Sequence, residues 1–461
     1  VAGMPGNRRA ARVAVIGCLF AILTSMNVPT VAQAASQKEP VPVHSLLPAQ
    51  VVLNQVPGNV PYVDGADNAK WPDIVSQSAV VMDMDTGTVV YGKNPLALHY
   101  PASITKIMTA LLALKLGHLN DVLTASQNAV NQPPDKLYLE VGEQEELRPL
   151  LTAMLLDSAN DVAVEIAEHY GGSVAHFAQM MNAEAKALGA QHTHFVNPSG
   201  LPNPDHTTTA YDMAVITRAA MQEPEFRTIV DTKYDNWQGR AWHARLVNLN
   251  RMLFTYPGAI GVKTGFTSVA HETLVVAARR GATTFLAVLM DCPTDAQIRA
   301  DATALLNYAF AHYETQRVLP AHHVVGTVVG ADGADPVATA LPVLATVSLG
   351  APMRVASKVG YAAPQAVTAA DTRVGALHLV SSSGNAIGEV PLVVEKPYTP
   401  VPRPMVWPRN AAIAACVVVI LTVLLYWRRK VVRRRRARAA LVAKAQPWRA
   451  GWELAKRDGP R

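Results

Sequence analysis

Cysteine is scarce: Cys18, Cys292 and Cys416 are the only three in 461 residues. Cys18 and Cys416 fall in apolar terminal segments, so the chain between them holds one thiol and no internal disulfide. Cys292, in "LMDCP" after an apolar run, suits a small buried residue better than a nucleophile. Metal-ligand spacing is missing too. His192/His194 and His322/His323 form no HExxH or comparable pattern, so metal chemistry is not expected and no cofactor is called for. There is no internal repeat, which excludes solenoids and propellers. Basic charge is absent where a nucleic-acid surface would need it. The net +6 comes from the ends: Arg428–Arg461 carries +11 and the first twelve residues +3, leaving 13–427 at −8. No nucleic-acid partner is expected.

Those terminal charges flank apolar runs. "RRAARVAVIGCLFAILTSMNVPTVAQAA" has a basic start, an apolar centre and an Ala32-Gln33-Ala34 end, the anatomy of a secretory signal peptide over 1–34. Near the other end, 411–427 is uncharged and is followed by "RRKVVRRRRAR". That reads as a transmembrane helix near the lower length limit, with the basic tail 428–461 cytoplasmic. The expected location is the cell membrane, with the folded part exported and held by one C-terminal anchor.

Between these ends, 35–70 is proline-dotted and reads as a linker. "SAVVMDMDTGTVVYG" is a hairpin signal, and helical patterns follow over 104–117, about 145–156, "DVAVEIAEHYGG" and "VAHFAQMMNAEAKALG". "AIGVKTGFTS", "TLVVAARR" and "TTFLAVLM" read as strands and "DAQIRADATALLNYAFAHY" as a closing helix. This order predicts an α/β (α+β) layer fold over 71–316 whose antiparallel sheet uses both ends of the domain and is flanked by helices. A small all-β domain over 317–395 and a Pro-rich spacer over 396–410 precede the membrane segment.

The chemistry starts at "PASITKIMTALLALKLG" (101–117). Residues three apart share a helix face, so Lys106 Nζ can approach Ser103 Oγ. A serine hydroxyl needs a neighbouring base, and lysine serves only when neutral, which burial and a second cation favour. The plain alternative is that Ser103 caps a helix and Lys106 is solvated. Of the fourteen lysines, only Lys106 has a serine three positions before it. K-T-G occurs once, at Lys263-Thr264-Gly265. S-x-N occurs four times, starting at Ser25, Ser126, Ser158 and Ser383. Ser158-Ala159-Asn160 is chosen because it joins two apolar helices, although Ser158 and Asp161 also fit a capping box.

Ordered S-x-x-K, S-x-N and K-T-G mark penicillin-recognising serine enzymes. With "YPASITKIMTALLAL", "SANDVAVEIAE", "HTHFVNPSGLPNPDHTTTAYDMA" and "YPGAIGVKTGFTS", residues about 71–395 resemble a D-alanyl-D-alanine carboxypeptidase of the low-molecular-mass penicillin-binding protein type. The resemblance implies a penicillin-binding/β-lactamase-like fold. It also implies removal of the terminal D-alanine from peptidoglycan stem peptides through an acyl-enzyme, and β-lactam antibiotics as covalent inhibitors. It implies Ser103 as nucleophile, Lys106 as its proton acceptor, Ser158 as proton relay and Asn160 as a holder of Lys106 and substrate. Lys263 and Thr264 of K-T-G would bind the substrate carboxylate, with Gly265 completing the motif. The N–H groups of Ser103 and Phe266 would form an oxyanion hole.

The chain departs from the family pattern in two places. Ala159 stands where glycine is more usual, and "TSVAHETLV" replaces a "TSxAGxCLV"-like stretch. His271, Glu272 and Thr273 are read as surface variation, and His194, Asn197 and His206 as residues that shape the fold. A DD-endopeptidase, a β-lactamase using Glu223 or Glu225, and a silent penicillin-binding scaffold are the competing readings.

Overall fold

The computed structural model describes residues 71–350, 356–380, 386–402 and 409–454. The expected signal peptide (1–34) and linker (35–70) lie outside them.

The chain enters as a hairpin, β1 (Ser78–Asp83) and β2 (Val89–Lys93), whose turn holds Gly87 at φ +77°. A 3-10 turn, Ala102–Thr105, runs into α1 (Lys106–Leu116), which stops at Gly117. Next come β3 (Val122–Thr124), its partner β4 (Gln144–Glu146), α2 (Leu147–Leu156), α3 (Asn160–Gly171) and α4 (Val174–Leu188). Left-handed Gly172 and Gly189 close α3 and α4, a conformation that glycine adopts without a Cβ penalty. Helices α5 (Ala210–Ala220) and α6 (Pro224–Asp231) precede a small hairpin, β5 (Tyr234–Gln238) and β6 (His243–Val247). Strands β7 (Ala259–Thr267), β8 (His271–Arg280) and β9 (Thr283–Cys292) and helix α7 (Asp295–His312) complete the layer.

The main sheet has the order β2-β1-β9-β8-β7 and is antiparallel throughout. Both ends of the domain therefore meet in it, as the order of the sequence patterns implies. Its central strands look like unbroken apolar runs because both faces are covered. In β9, Leu286, Val288 and Met290 face the core shared with α1–α5, while Phe285, Ala287 and Leu289 face the core shared with α7. Cys292 ends β9 fully buried in that second core. Strand β7 lies at the sheet edge, and it carries K-T-G.

A second, all-β part follows. β10 (Tyr313–Leu319) pairs with β13 (Val343–Ser348). β11 (Val324–Gly330), β12 (Gly333–Thr339), β14 (Ala356–Tyr361), β15 (Arg373–Val380) and β16 (Ala386–Val394) form a sheet of order β11-β12-β16-β15-β14. Val328, Val337, Leu377, Val390 and Leu392 fill its small core. The junction with the first part is polar: the buried Asp83 carboxylate accepts from Thr315 Oγ1 and Thr346 Oγ1, each at 2.8 Å.

The chain beyond residue 400 is a separate unit containing α8 (Arg409–Leu454). The expected membrane-spanning segment 411–427 is helical but does not stand as a distinct span. Among the described residues, no helix is long and apolar enough to cross a membrane. The apolar run is at the short limit for a bilayer, and Arg428, Arg429 and Lys430 continue the same helix directly.

Candidate active site

Ser103 lies in the 3-10 turn, half-buried, directly after Ala102 at φ +51°. A left-handed alanine is a local strain that only surrounding packing maintains. That packing comes from Ile104 in the turn itself and from α1, whose Ile107, Met108, Ala110 and Leu111 are, like Ile104, fully buried. Ser103 makes no capping hydrogen bond, so its hydroxyl is free of the structural duty that the simpler reading gave it.

Lys106 opens α1 and is completely buried. Its Nζ lies 3.0 Å from Ser103 Oγ, 2.8 Å from Asn160 Oδ1 and 2.7 Å from the Ser199 carbonyl oxygen. Two of these neighbours are acceptors only, and the third is a hydroxyl. As a donor, Nζ reaches all three oxygens; as a neutral amine it would keep two N–H groups for Asn160 and Ser199 and turn its lone pair to the Ser103 proton. Burial holds the Lys106 pKa well below the usual lysine range, and the charge of Lys263 lowers it further, against the pull of Asp135 and Asp161.

Asn160 begins α3 and is oriented from both ends. Its Nδ2 donates to the Pro133 carbonyl at 3.0 Å, and its backbone N–H donates to the Asp135 carbonyl at 2.8 Å. Ser158, two residues earlier, is buried in a left-handed conformation at φ +69°. The capping-box alternative does not hold. Ala159 is the N-cap and makes no side-chain bond, while the Asp161 carboxylate accepts from the N–H groups of Leu137 and Leu139. Asp161 thus fastens the loop that carries Pro133 and Asp135.

K-T-G supplies the other wall. Lys263 is buried, with its Nζ donating to the Thr264 carbonyl at 3.1 Å. Burial lowers its pKa to about 8, with Asp135 and Asp157 opposing the shift. Thr264 is half-buried and Phe266 points its ring outward, 60% exposed. Gly265 is obligatory, because a Cβ there would lie 2.6 Å from both Ser103 N and Thr273 Oγ1. The edge of β7 therefore runs against the backbone of the nucleophile.

Three contributors escape a reading by motif. The first is the Ser199 carbonyl. Its turn is held by Asn197 Oδ1, which accepts from Gly200 N at 2.7 Å. Gly200 has φ +89°, and a Cβ on it would fall 1.8 Å from the Ala102 carbonyl oxygen. The string "NPSGL" was the available signal, but a backbone carbonyl has no residue-type signature. The second is His206, whose Nδ1 accepts from Val196 N at 3.0 Å, so Nε2–H donates to Thr105 Oγ1 at 2.9 Å. Burial lowers its pKa to about 4, so it is a neutral brace, in keeping with a fold-shaping residue. The third is Thr273, which corrects an expectation. It is not surface variation, because it is 1% exposed and its Oγ1 lies 2.9 Å from the Pro101 carbonyl and 3.1 Å from the Gly265 carbonyl. His271 shares the Asp291 carboxylate with His99. Glu225 is occupied by an ion pair with Arg148, and Glu223 is the N-cap residue of α6.

Comparison with known proteins gives the same answer as the geometry. The D-alanyl-D-alanine carboxypeptidase family matches residues 66–294. The chain is 36% identical over 262 residues to D-alanyl-D-alanine carboxypeptidase DacF of Bacillus subtilis, covering 55% of this chain and 67% of that one. It is also 36% identical over 230 residues to DacB2 of Mycobacterium tuberculosis, covering 50% and 79%. Among solved structures, penicillin binding protein 5 of Haemophilus influenzae superposes with a TM-score of 0.61 at 27% identity, over 71% of this chain and 98% of that one. Family, order of motifs and site geometry coincide, and the chain belongs to the D-alanyl-D-alanine carboxypeptidase family of serine peptidases.

Proposed function

We infer that this protein is a serine-type D-Ala-D-Ala carboxypeptidase that removes the terminal D-alanine from peptidoglycan stem peptides and is acylated by β-lactams. The observation that carries the assignment is the Lys106 environment, two acceptors and one hydroxyl around a buried amine. In this reading Lys106 takes the Ser103 proton as Oγ attacks the carbonyl of the D-Ala–D-Ala bond. The oxyanion forms against the N–H groups of Ser103 and Phe266, a contribution of about 3 kcal/mol per donor. Lys263 and Thr264 hold the terminal carboxylate, and Ser158 passes a proton to the departing amine. Water then releases the shortened peptide from Ser103.

The test is D-alanine release from diacetyl-Lys-D-Ala-D-Ala by the full chain beside a Ser103→Ala control. Release that disappears in the control is expected; release that survives it would remove Ser103 from the mechanism.

The location is part of the same proposal: an exported enzyme tethered to the cell membrane through 411–427, with its basic tail in the cytoplasm. Support comes from the side chains of Val417 to Leu421 and Val423 to Trp427, each more than 45% exposed on a helix that leads into arginines. Fractionation of cells expressing the full chain or a chain ending at residue 400 decides this. The full chain is expected with membranes and the shorter one in the exported soluble fraction.

A further inference from the structure

Where β8 ends against α7, the chain encloses a cleft of about 770 Å³, within the size range of small-molecule sites. It is separate from the active site. Thr273, bound to the Gly265 carbonyl, lies seven residues before Arg280 on β8, so roughly 23 Å of extended strand divides the two. Ala296, Ala300 and Ala304 recur at one-turn spacing on the exposed side of α7 and line the cleft with Met252 and Pro257. These short side chains leave the room.

Arg280 and Asn307 line the cleft side by side. Arg280 Cζ lies 4.5 Å from the Phe310 ring centroid and 5.3 Å from that of Tyr256. Its Nη2 donates to Tyr256 Oη at 2.8 Å and to Asn307 Oδ1 at 3.3 Å, and Tyr256 Oη donates to the same Oδ1 at 3.0 Å. Stacking and hydrogen bonds fix the guanidinium, yet every partner is neutral. The nearby arginines differ, since Arg299 and Arg251 both pair with Asp295, at 2.9 and 3.4 Å. Among the described residues Arg280 has no ion pair, and its Nε and Nη1 have no acceptor. Asn307 Nδ2 is a second spare donor there, because Oδ1 is the atom used on Tyr256 and Arg280. Thr303 lies one turn before Asn307 and also lines the cleft, as does Thr255. Their hydroxyl protons go to the Arg299 and Arg251 carbonyls, at 2.8 and 3.1 Å, so both oxygens are left only to accept.

We propose that this cleft binds the free carboxyl terminus of a short peptide with small side chains. The inference goes beyond the carboxypeptidase reading, and nothing in it depends on Ser103. The carboxylate meets Arg280 and Asn307 Nδ2. One unpaired cation matches one negative charge, whereas a phosphate dianion would keep a charge unmatched. Peptide N–H groups find acceptors in Thr255 and Thr303, and methyl side chains fit over the alanines of α7.

The test is calorimetric titration of acetyl-Ala-Ala, and of its carboxamide, into the full chain and three variants. Arg280→Gln removes the cation, and Ala300→Met fills the cleft from an exposed helix position while keeping it. Lys263→Ala disables the carboxylate site proposed for catalysis. Binding of the acid alone is expected, weakened about tenfold or more in Arg280→Gln and Ala300→Met and kept in Lys263→Ala. No binding of the acid, equal binding of acid and amide, or an affinity unchanged in Ala300→Met overturns the proposal. Binding lost in Lys263→Ala but kept in Arg280→Gln puts the peptide in the active site and overturns it too. Inorganic phosphate that binds more tightly than the acid, and is lost with Arg280, overturns the choice of a carboxylate. None of these readouts needs turnover. A chain that releases no D-alanine but shows the expected pattern upholds the cleft, and an active carboxypeptidase without that pattern refutes it.

Discussion

In the proposed mechanism Lys106 works as a neutral amine and Lys263 as a cation, and the two buried amines sit in different electrostatic surroundings. Lys106 feels both burial and the charge of Lys263, while Lys263 is shifted by burial alone and is relieved by Asp135 and Asp157. Carboxylate binding requires Lys263 charged, so acylation by penicillin is expected to fall as pH rises through about 8. Lys263→Arg, which stays protonated, should remove that alkaline limb; a limb unchanged in the variant would place it on another group. The sign for stability is the reverse. The unfolded lysine binds its proton up to its ordinary value, so the burial penalty is relieved, and the fold gains stability, as pH rises from about 8 toward 10.5. Gly265→Ala offers a second check. A methyl group aimed at Ser103 N must move the nucleophile, and a displacement near 1 Å costs about a hundredfold in acylation rate. Stopped-flow labelling of a variant with an unchanged circular dichroism spectrum measures it.

Helix α3 does more than carry Asn160. Its first turn binds the 133–139 loop through Asp161, and one turn later it buries Glu165 with Oε2 unpartnered. Burial raises the Glu165 pKa to about 8, reinforced by Asp161, Glu143, Glu145 and Glu168. The folded state therefore keeps a proton that the unfolded chain releases above about 4.5, so stability falls as pH rises from there to about 8. Glu165→Gln is expected to raise the melting temperature at pH 8 by about 3 °C or more and to flatten its pH dependence. Equal melting curves at pH 5 and pH 8 in wild type would show that Glu165 is not the group responsible. At this scale the sequence pattern was informative where periodicity was strong: α1, α3, α4 and β7–β9 are where their apolar patterns put them. It was silent on loops. The Ser158–Asp161 signature is not a capping box, because the Asp161 carboxylate accepts N–H groups of Leu137 and Leu139 from a distant loop as well as that of Val162 in its own helix.

Across the whole molecule, Asp83 links the catalytic layer to the all-β part. It accepts Thr315 and Thr346 hydroxyls from one side and the Asp85 N–H from its own turn at 2.9 Å, while Arg218 Nε donates to the Met84 carbonyl at 2.9 Å. Asp83→Ala strands several buried donors, each costing about 1–3 kcal/mol, and leaves Ser103 untouched. The expected phenotype is a lower melting temperature with penicillin labelling retained at 25 °C. Loss of labelling in the folded variant would mean that the second part supports the site directly.

Chemistry written in side chains was decided by the sequence itself. One serine three residues before one lysine, one K-T-G and a workable S-x-N picked out Ser103, Lys106, Asn160 and Lys263 as candidates, because the proposed nucleophile, base and cation each demand a residue type. Tertiary structure alone decided what backbone and proximity supply. The Ser199 carbonyl accepts from Lys106, Thr273 holds Gly265 to Pro101, and Gly200 and Gly265 leave room for the strained turn at Ala102. A carbonyl oxygen is the same in every residue, so only the fold can choose which one meets the lysine.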